Sequence, residues 1–321
     1  VWNIGFGQAG KNKIINGDFG IWQRGTSFTL TNETYTSDRF KTQTDKTGTI
    51  SRQTFTAGTA PVAGYEGQFY LRSALNAVGS YYILNQPIED VRTFAGNTIT
   101  LSFWAKVSSG TVSNAPEIIQ NFGSGGSASV TTTPTGQTIT TNWQRFSVSV
   151  AIPSITGKTI GTSSSLEIRV LRFVSAAAAT IDIWGVQLEY GSKATPFQTA
   201  SGGSPQAELA MCQRYYYRIG GSYVYEILGV GNARSTTVGD VVLNMPVSMR
   251  TAPSSIDFSN IALLRDFGSS PIAITSVAFS GAGKNTAISG CTVASGLTAG
   301  QNYYTVANNS TSAYLAVSAE L

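Results

Sequence analysis

Hydrophobic and polar residues alternate along residues 98–107 with a period of two. Ile99, Leu101, Phe103, Ala105 and Val107 share one face; Thr98, Thr100, Ser102, Trp104 and Lys106 share the other. That is the period of a strand with one buried side. Residues 143–152 repeat it, with Phe146, Val148, Val150 and Ile152 set against Trp143, Arg145, Ser147 and Ser149. Further strands are predicted at 48–56, 67–74, 80–88, 166–174 and 180–189. Clusters rich in Gly, Pro, Asn and Ser at 58–64, 123–129, 134–136 and 153–165 separate them. Strands of this length with loops between them predict an antiparallel β-sandwich.

The pattern breaks at Ser201-Gly202-Gly203-Ser204, a flexible tetrad. Ser204 is placed to cap a helix, with Pro205 at its first position and the helix covering 207–213. A second, smaller β-rich domain follows, with strands predicted at 215–219, 223–230, 237–243, 271–279, 302–307 and 313–319. The expected organisation is therefore a lead-in segment at 1–10 continuing from a preceding part, a sandwich at 11–200, a linker with a short helix at 201–214, and a β-rich domain at 215–321.

Composition narrows the chemistry. Only 12% of the 321 residues are charged, while hydrophobic residues make up 41% and glycine contributes 34 positions. That mixture suits short strands and tight turns and is poor for exposed helices. There is no histidine, so a Ser-His-Asp triad, a Cys-His dyad and the common histidine zinc sites are excluded. The net charge of +4 comes from scattered single residues, which implies no nucleic-acid partner. No apolar stretch reaches the roughly 18 residues of a membrane span, so no membrane insertion is expected. Cys212 and Cys291 are too few for a disulfide framework; buried or free thiols are expected.

Trp104 and Trp143 stand on the polar faces of their strands, where an indole needs a cover. One cover is a sugar ring stacked on each indole, with Lys106 and Arg145 on the same faces to bond its hydroxyls. The other is a neighbouring subunit or a loop folded over the sheet. Trp184 reads as core. Asn16, Asp18 and Asp182 form a candidate calcium set if the first and last strands of the sandwich meet, since calcium takes several hard oxygens. Alternatively Asp18 sits in a turn and Asp182 pairs with an arginine. A glycosidase needs two carboxyl groups about 5–10 Å apart; Glu117, Asp182 and Glu189 are the acids near strong strands, and no enzyme activity is expected from so few. Tyr215, Tyr217, Tyr223 and Tyr225 are candidates for a subunit interface, with aromatic core as the alternative.

Several segments together resemble a domain found in bacteriophage tail-fibre and other virion proteins. They are residues 16–26 (NGDFGIWQRGT), 37–40 (SDRF), 86–89 (QPIE), 101–106 (LSFWAK), 143–146 (WQRF), 184–191 (WGVQLEYG) and 194–197 (ATPF), followed by 208–216 (ELAMCQRYY). The resemblance spans about residues 11–217; beyond it only 246–253 (PVSMRTAP) is familiar. It implies an all-β, antiparallel jelly-roll sandwich similar to carbohydrate-binding modules. It also implies a structural calcium at Asn16, Asp18 and Asp182, although the acidic pair usual before the closing strand is reduced here to Asp182. Finally, it implies a homotrimer in a virion, as a tail or head fibre among other virion proteins, attached to host cell-surface polysaccharide without cleaving it. The alternative is a purely structural trimeric fibre or capsid decoration with no ligand of its own.

Overall fold

The computed structural model describes residues 10–62 and 65–321. It divides into two compact units, one ending at Leu209 and the other spanning Ala210–Glu320. Most of the lead-in at 1–10 lies outside the described residues.

The first unit is built on two six-stranded antiparallel sheets. One runs, edge to edge, β1 (Ser27–Thr29), β4 (Gly48–Thr54), β5 (Phe69–Leu75), β14 (Ala179–Tyr190), β7 (Thr98–Val107) and β12 (Gln144–Ala151). The other runs β10 (Val130–Thr132), β9 (Glu117–Asn121), β13 (Ser165–Val174), β6 (Tyr81–Glu89), β3 (Lys41–Thr44) and β2 (Thr34–Tyr35). A small pair, β8 (Val112–Asn114) and β11 (Gln137–Ile139), forms a separate two-stranded sheet whose Ile139 joins the same core. The predicted all-β jelly-roll sandwich is what the chain forms.

Register explains the core. Phe146 lies opposite Phe103, and Val148 opposite Leu101; across the other edge of β7, Ile183 meets Ala105 and Leu188 meets Leu101. These side chains pack against Leu84, Ile118, Leu166 and Ile168 of the second sheet in one continuous cluster. Burial of such aliphatic and aromatic groups is the main stabilising term of the sandwich.

One irregularity decides which face Trp184 takes. β14 shifts register between Trp184 and Gln187. Gly185 sits there at φ +66°, and a Cβ on it would lie 2.7 Å from Trp104 Cε3, so only glycine fits. The extra residue resets the alternation. Ile181 and Ile183 point inward before it, Val186 and Leu188 after it, and Trp184 is turned to the outer face.

The chain passes between the units within helix α1 (Pro205–Gln213), capped as expected: the Ala207 N–H donates to Ser204 Oγ at 3.3 Å. In the second unit β16 (Ile227–Ala233), β17 (Val238–Asn244), β21 (Thr286–Val293), β20 (Ile272–Ala282), β19 (Ile261–Leu264) and β22 (Asn302–Ala307) close into a barrel. A three-stranded sheet, β15 (Tyr216–Gly220), β23 (Tyr314–Ser318) and β18 (Ser255–Ser259), completes it. The strand predicted from residue 223 begins only at Ile227, because residues 222–225 form a turn with Tyr225 at φ +58°. Cys212 and Cys291 are both buried thiols, not joined in a disulfide, and burial pushes the Cys291 thiol up to about 11. Among the described residues no helix is long and apolar enough to cross a membrane.

Candidate functional site

The outer face of the sheet containing β7 carries three aromatic residues, each followed two positions later by a cation. β5 supplies Tyr70 and Arg72, β7 supplies Trp104 and Lys106, and Trp143, just before β12, pairs with Arg145 within it. Alternation sends both members of each pair to the same side. The face then divides into a covered half and an open half.

The covered half centres on Trp184, which is fully buried. Phe55, Tyr65 and Phe197 pack on it, and its ring lies 5.4 Å from that of Trp104. Gly67 allows the overlying segment to come this close, since a Cβ there would lie 2.8 Å from Trp184 Nε1. Trp104 is only 7% exposed, and the Arg145 guanidinium covers it at 4.5 Å. Arg145 Nη2 donates to the Thr195 carbonyl at 2.5 Å and to Ser102 Oγ at 3.1 Å. Thr195 is itself anchored: its N–H and hydroxyl both donate to the buried carboxylate of Glu189. Trp104 and Arg145 are therefore corrected from glycan contacts to structure, and the cover is the chain itself.

The open half holds Tyr70, Arg72, Lys106 and Trp143, all partly exposed. Trp143 immediately precedes the edge strand β12, yet its ring stands edge-on to Tyr70 at 5.5 Å, so the indole reaches across β7 and β14. Phe55 supports both rings, at 4.7 Å from Tyr70 and 5.6 Å from Trp143, and the Lys106 ammonium lies 5.4 Å from the Trp143 centroid. Beneath them Asp182 accepts from Arg72 Nε at 2.7 Å and Nη2 at 2.9 Å, with Lys106 Nζ at 3.8 Å. That bidentate bond holds the Arg72 guanidinium above its usual pKa range. Of the four predicted glycan contacts, Trp143 and Lys106 remain on the open surface, and Tyr70 and Arg72 replace the other two. Residues 67–74 alternate, and that signal could have found both.

The calcium set does not assemble. The Asn16 amide is already engaged: Oδ1 accepts from the Ile21 N–H, and Nδ2 donates to the Ile21 carbonyl and to that of Asp38, 22 positions on. Asp182 is committed to Arg72 and Lys106. Asp18 instead lines a cavity of about 410 Å³ with Tyr65, Glu66 and Glu208. Glu208 is buried and accepts from the N–H groups of Asn16 and Ser201. Burial, then the Glu208 charge, raises Asp18 to about 6, and burial raises the Tyr65 phenol. Among the described residues no three acidic, histidine or cysteine side chains form a group able to hold a metal. As for the hydrolase acids, Glu117 is paired with Arg169 at 3.0 Å and Arg172 at 3.2 Å, and Asp182 and Glu189 are held as above.

The interface tyrosines also divide. Tyr215 is buried and Tyr217 packs against the core of the second unit, which corrects both to structural residues. Tyr223 and Tyr225 are 74% and 40% exposed.

No protein-family model matches the chain, and no curated protein does. Solved structures similar to it include the CBM22-1 xylan-binding domain of Paenibacillus barcinonensis Xyn10C, at 12% identity and TM-score 0.35, covering 58% of this chain and 99% of that one. A second is TmCBM61 in complex with β-1,4-galactotriose, at 12% identity and TM-score 0.34, covering 56% and 99%. A third is the enzymatically active domain of bacteriophage CBA120 tailspike protein 4, at 16% identity and TM-score 0.33, covering 56% of this chain and 22% of that one.

Proposed function

We propose that this protein binds host cell-surface polysaccharide, without cleaving it, through the open half of the outer face, and does so as part of a bacteriophage virion fibre. One observation carries the reading: Tyr70 and Trp143 form a braced, partly exposed aromatic pair, 5.5 Å apart, with cationic donors beside it on a rigid sheet. The C–H faces of a sugar stack on such rings while Arg72 and Lys106 bond its hydroxyls. Binding without cleavage is supported by the acids of this face, each already held by its own cations or donors. The virion role rests on the ordered sequence segments given above.

Trp143→Ala is expected to weaken binding to a host polysaccharide at least tenfold, about 1.4 kcal/mol, in surface-immobilised glycan titrations, with the melting temperature little changed. Unchanged affinity would remove this face as the site. Release of reducing ends from the same polysaccharide would replace binding with hydrolysis.

Assembly as a homotrimer belongs to the same reading. Among the described residues, large exposed hydrophobics concentrate in the second unit, with Tyr223, Tyr225 and Phe267 (68% exposed) prominent; only Val78, Val174 and Tyr190 are in the first. Surfaces of that kind mark interaction sites. Sedimentation equilibrium is expected to give the mass of three chains, and a monomer at micromolar concentration would overturn the trimer. A purely structural fibre is the second reading, favoured by the chain's own cover over Trp104.

A further inference from the structure

The charges of the outer face are layered by depth. Both carboxylates lie underneath: the side chains of Asp182 and Glu189 are 5% and 1% exposed. The cations that neutralise them reach the surface: Arg72 is 35% exposed, and Lys106 and Lys11 are each 31%. Arg145 adds a fourth cation, partly exposed over Trp104. Four positive groups thus stand over two buried negative ones. A ligand approaching the Tyr70–Trp143 pair meets cations and no exposed carboxylate of this set. Proximity to an aromatic face recurs as well: Arg72 lies 5.8 Å from the Tyr70 centroid, Lys106 5.4 Å from Trp143 and Arg145 4.5 Å from Trp104.

The cations are not equally committed. Arg72 is locked to Asp182 by two short bonds, whereas Lys106 is only 3.8 Å from that carboxylate. Lys106 has a flexible four-carbon stem and rotatable donors. It can turn to a ligand anion while Arg72 keeps the buried Asp182 compensated. A neutral sugar needs no such arrangement; its hydroxyls are met as well by uncharged amides.

We propose that this face selects anionic, carboxylate-bearing polysaccharides, with Lys106 as the residue that meets the sugar carboxylate. The proposal rests on the glycan-binding reading and adds the charge class of the ligand. Its test uses the full chain against a panel of uronic-acid capsular polysaccharides, each beside its carboxyl-reduced form, which keeps the backbone and removes the charge. Neutral xylan and a sulfated glycan complete the panel. Expected are binding to at least one uronic polymer, a loss of tenfold or more on carboxyl reduction, and marked weakening between 50 and 300 mM salt, as electrostatic contacts are screened. Lys106→Gln is expected to lower uronic-polymer affinity about five- to tenfold, to lower any xylan binding by much less, and to leave the melting temperature little changed. Equal binding of native and reduced polymers, insensitive to salt, overturns the charge selectivity and leaves glycan binding standing. Preference for the sulfated glycan overturns the carboxylate assignment. Absence of binding to every polymer overturns both this proposal and the reading beneath it.

Discussion

Trp104→Ala is expected to destabilise the first unit by about 3–5 kcal/mol, the usual cost of removing a buried aromatic side chain, while Trp143→Ala costs far less. The two indoles have the same sequence credentials, each standing on the polar side of an amphipathic strand. Their surroundings differ. Trp104 is enclosed by Trp184, Phe197 and the Arg145 guanidinium. Its removal opens a cavity, takes away the surface on which Arg145 rests, and loosens the Thr195 segment that Arg145 ties to the sheet. Trp143 is braced from one side and partly open on the other. Urea unfolding followed by tryptophan fluorescence measures the difference directly, because the tryptophans of the described residues, Trp22, Trp104, Trp143 and Trp184, all lie in the first unit. A large fall in midpoint at unchanged slope is expected for Trp104→Ala. A variant of normal stability that has lost glycan affinity would return Trp104 to the binding surface.

Much of the sandwich was legible because its inner face obeys a strict alternation. Ile99 to Val107 and Phe146 to Ile152 name their own neighbours once the strands pair. What covers the outer face was not legible. Residues 55–62 carry no periodicity, and nothing local indicates that Phe55 will land between Tyr70, Trp143 and Trp184. Gly185 hides a second reversal: a reader assuming unbroken alternation through β14 places Val186 and Leu188 on the wrong side. Asp182 shows the limit for charged groups. Its arginine lies 110 positions earlier, and only the pairing of β5 with β14 brings Arg72 opposite it. The candidate calcium residues show the same limit, since Asn16 bonds Ile21 and, 22 positions on, Asp38, and Asp182 meets cations across strands. Glu208 went unnoticed because a glutamate in a short helix reads as solvated surface, yet the N–H of Asn16, 192 positions earlier, and that of nearby Ser201 close on it.

Asp18→Asn is expected to stabilise the protein at pH 7 by up to about 3 kcal/mol, the free-energy equivalent of the displacement of its pKa from 3.8 to about 6. The sign follows from which state holds the proton. Below about pH 4 the carboxyl is protonated in folded and unfolded chains alike, and contributes no difference. Between about pH 4 and 6 the unfolded chain ionises first while the folded chain keeps its proton, so stability falls as pH rises. Above about pH 6 the folded carboxyl must also ionise, in a partly enclosed cavity beside Glu208, and the full penalty is present. Asparagine keeps the shape and removes the charge. The stability difference between variant and wild type is therefore expected to be smallest near pH 3.5, to grow through the window from 4 to 6, and to level off above it. Taking the difference cancels the opposing contributions of Asp45 and Glu189, whose carboxyls are held below their usual range by hydrogen bonds. Urea midpoints at half-unit pH steps measure the curve. A variant less stable than wild type at pH 7 would mean that the Asp18 charge is compensated in the folded protein by a positive group, and the cavity would then have to be read as a cation site rather than as a strained pair of acids.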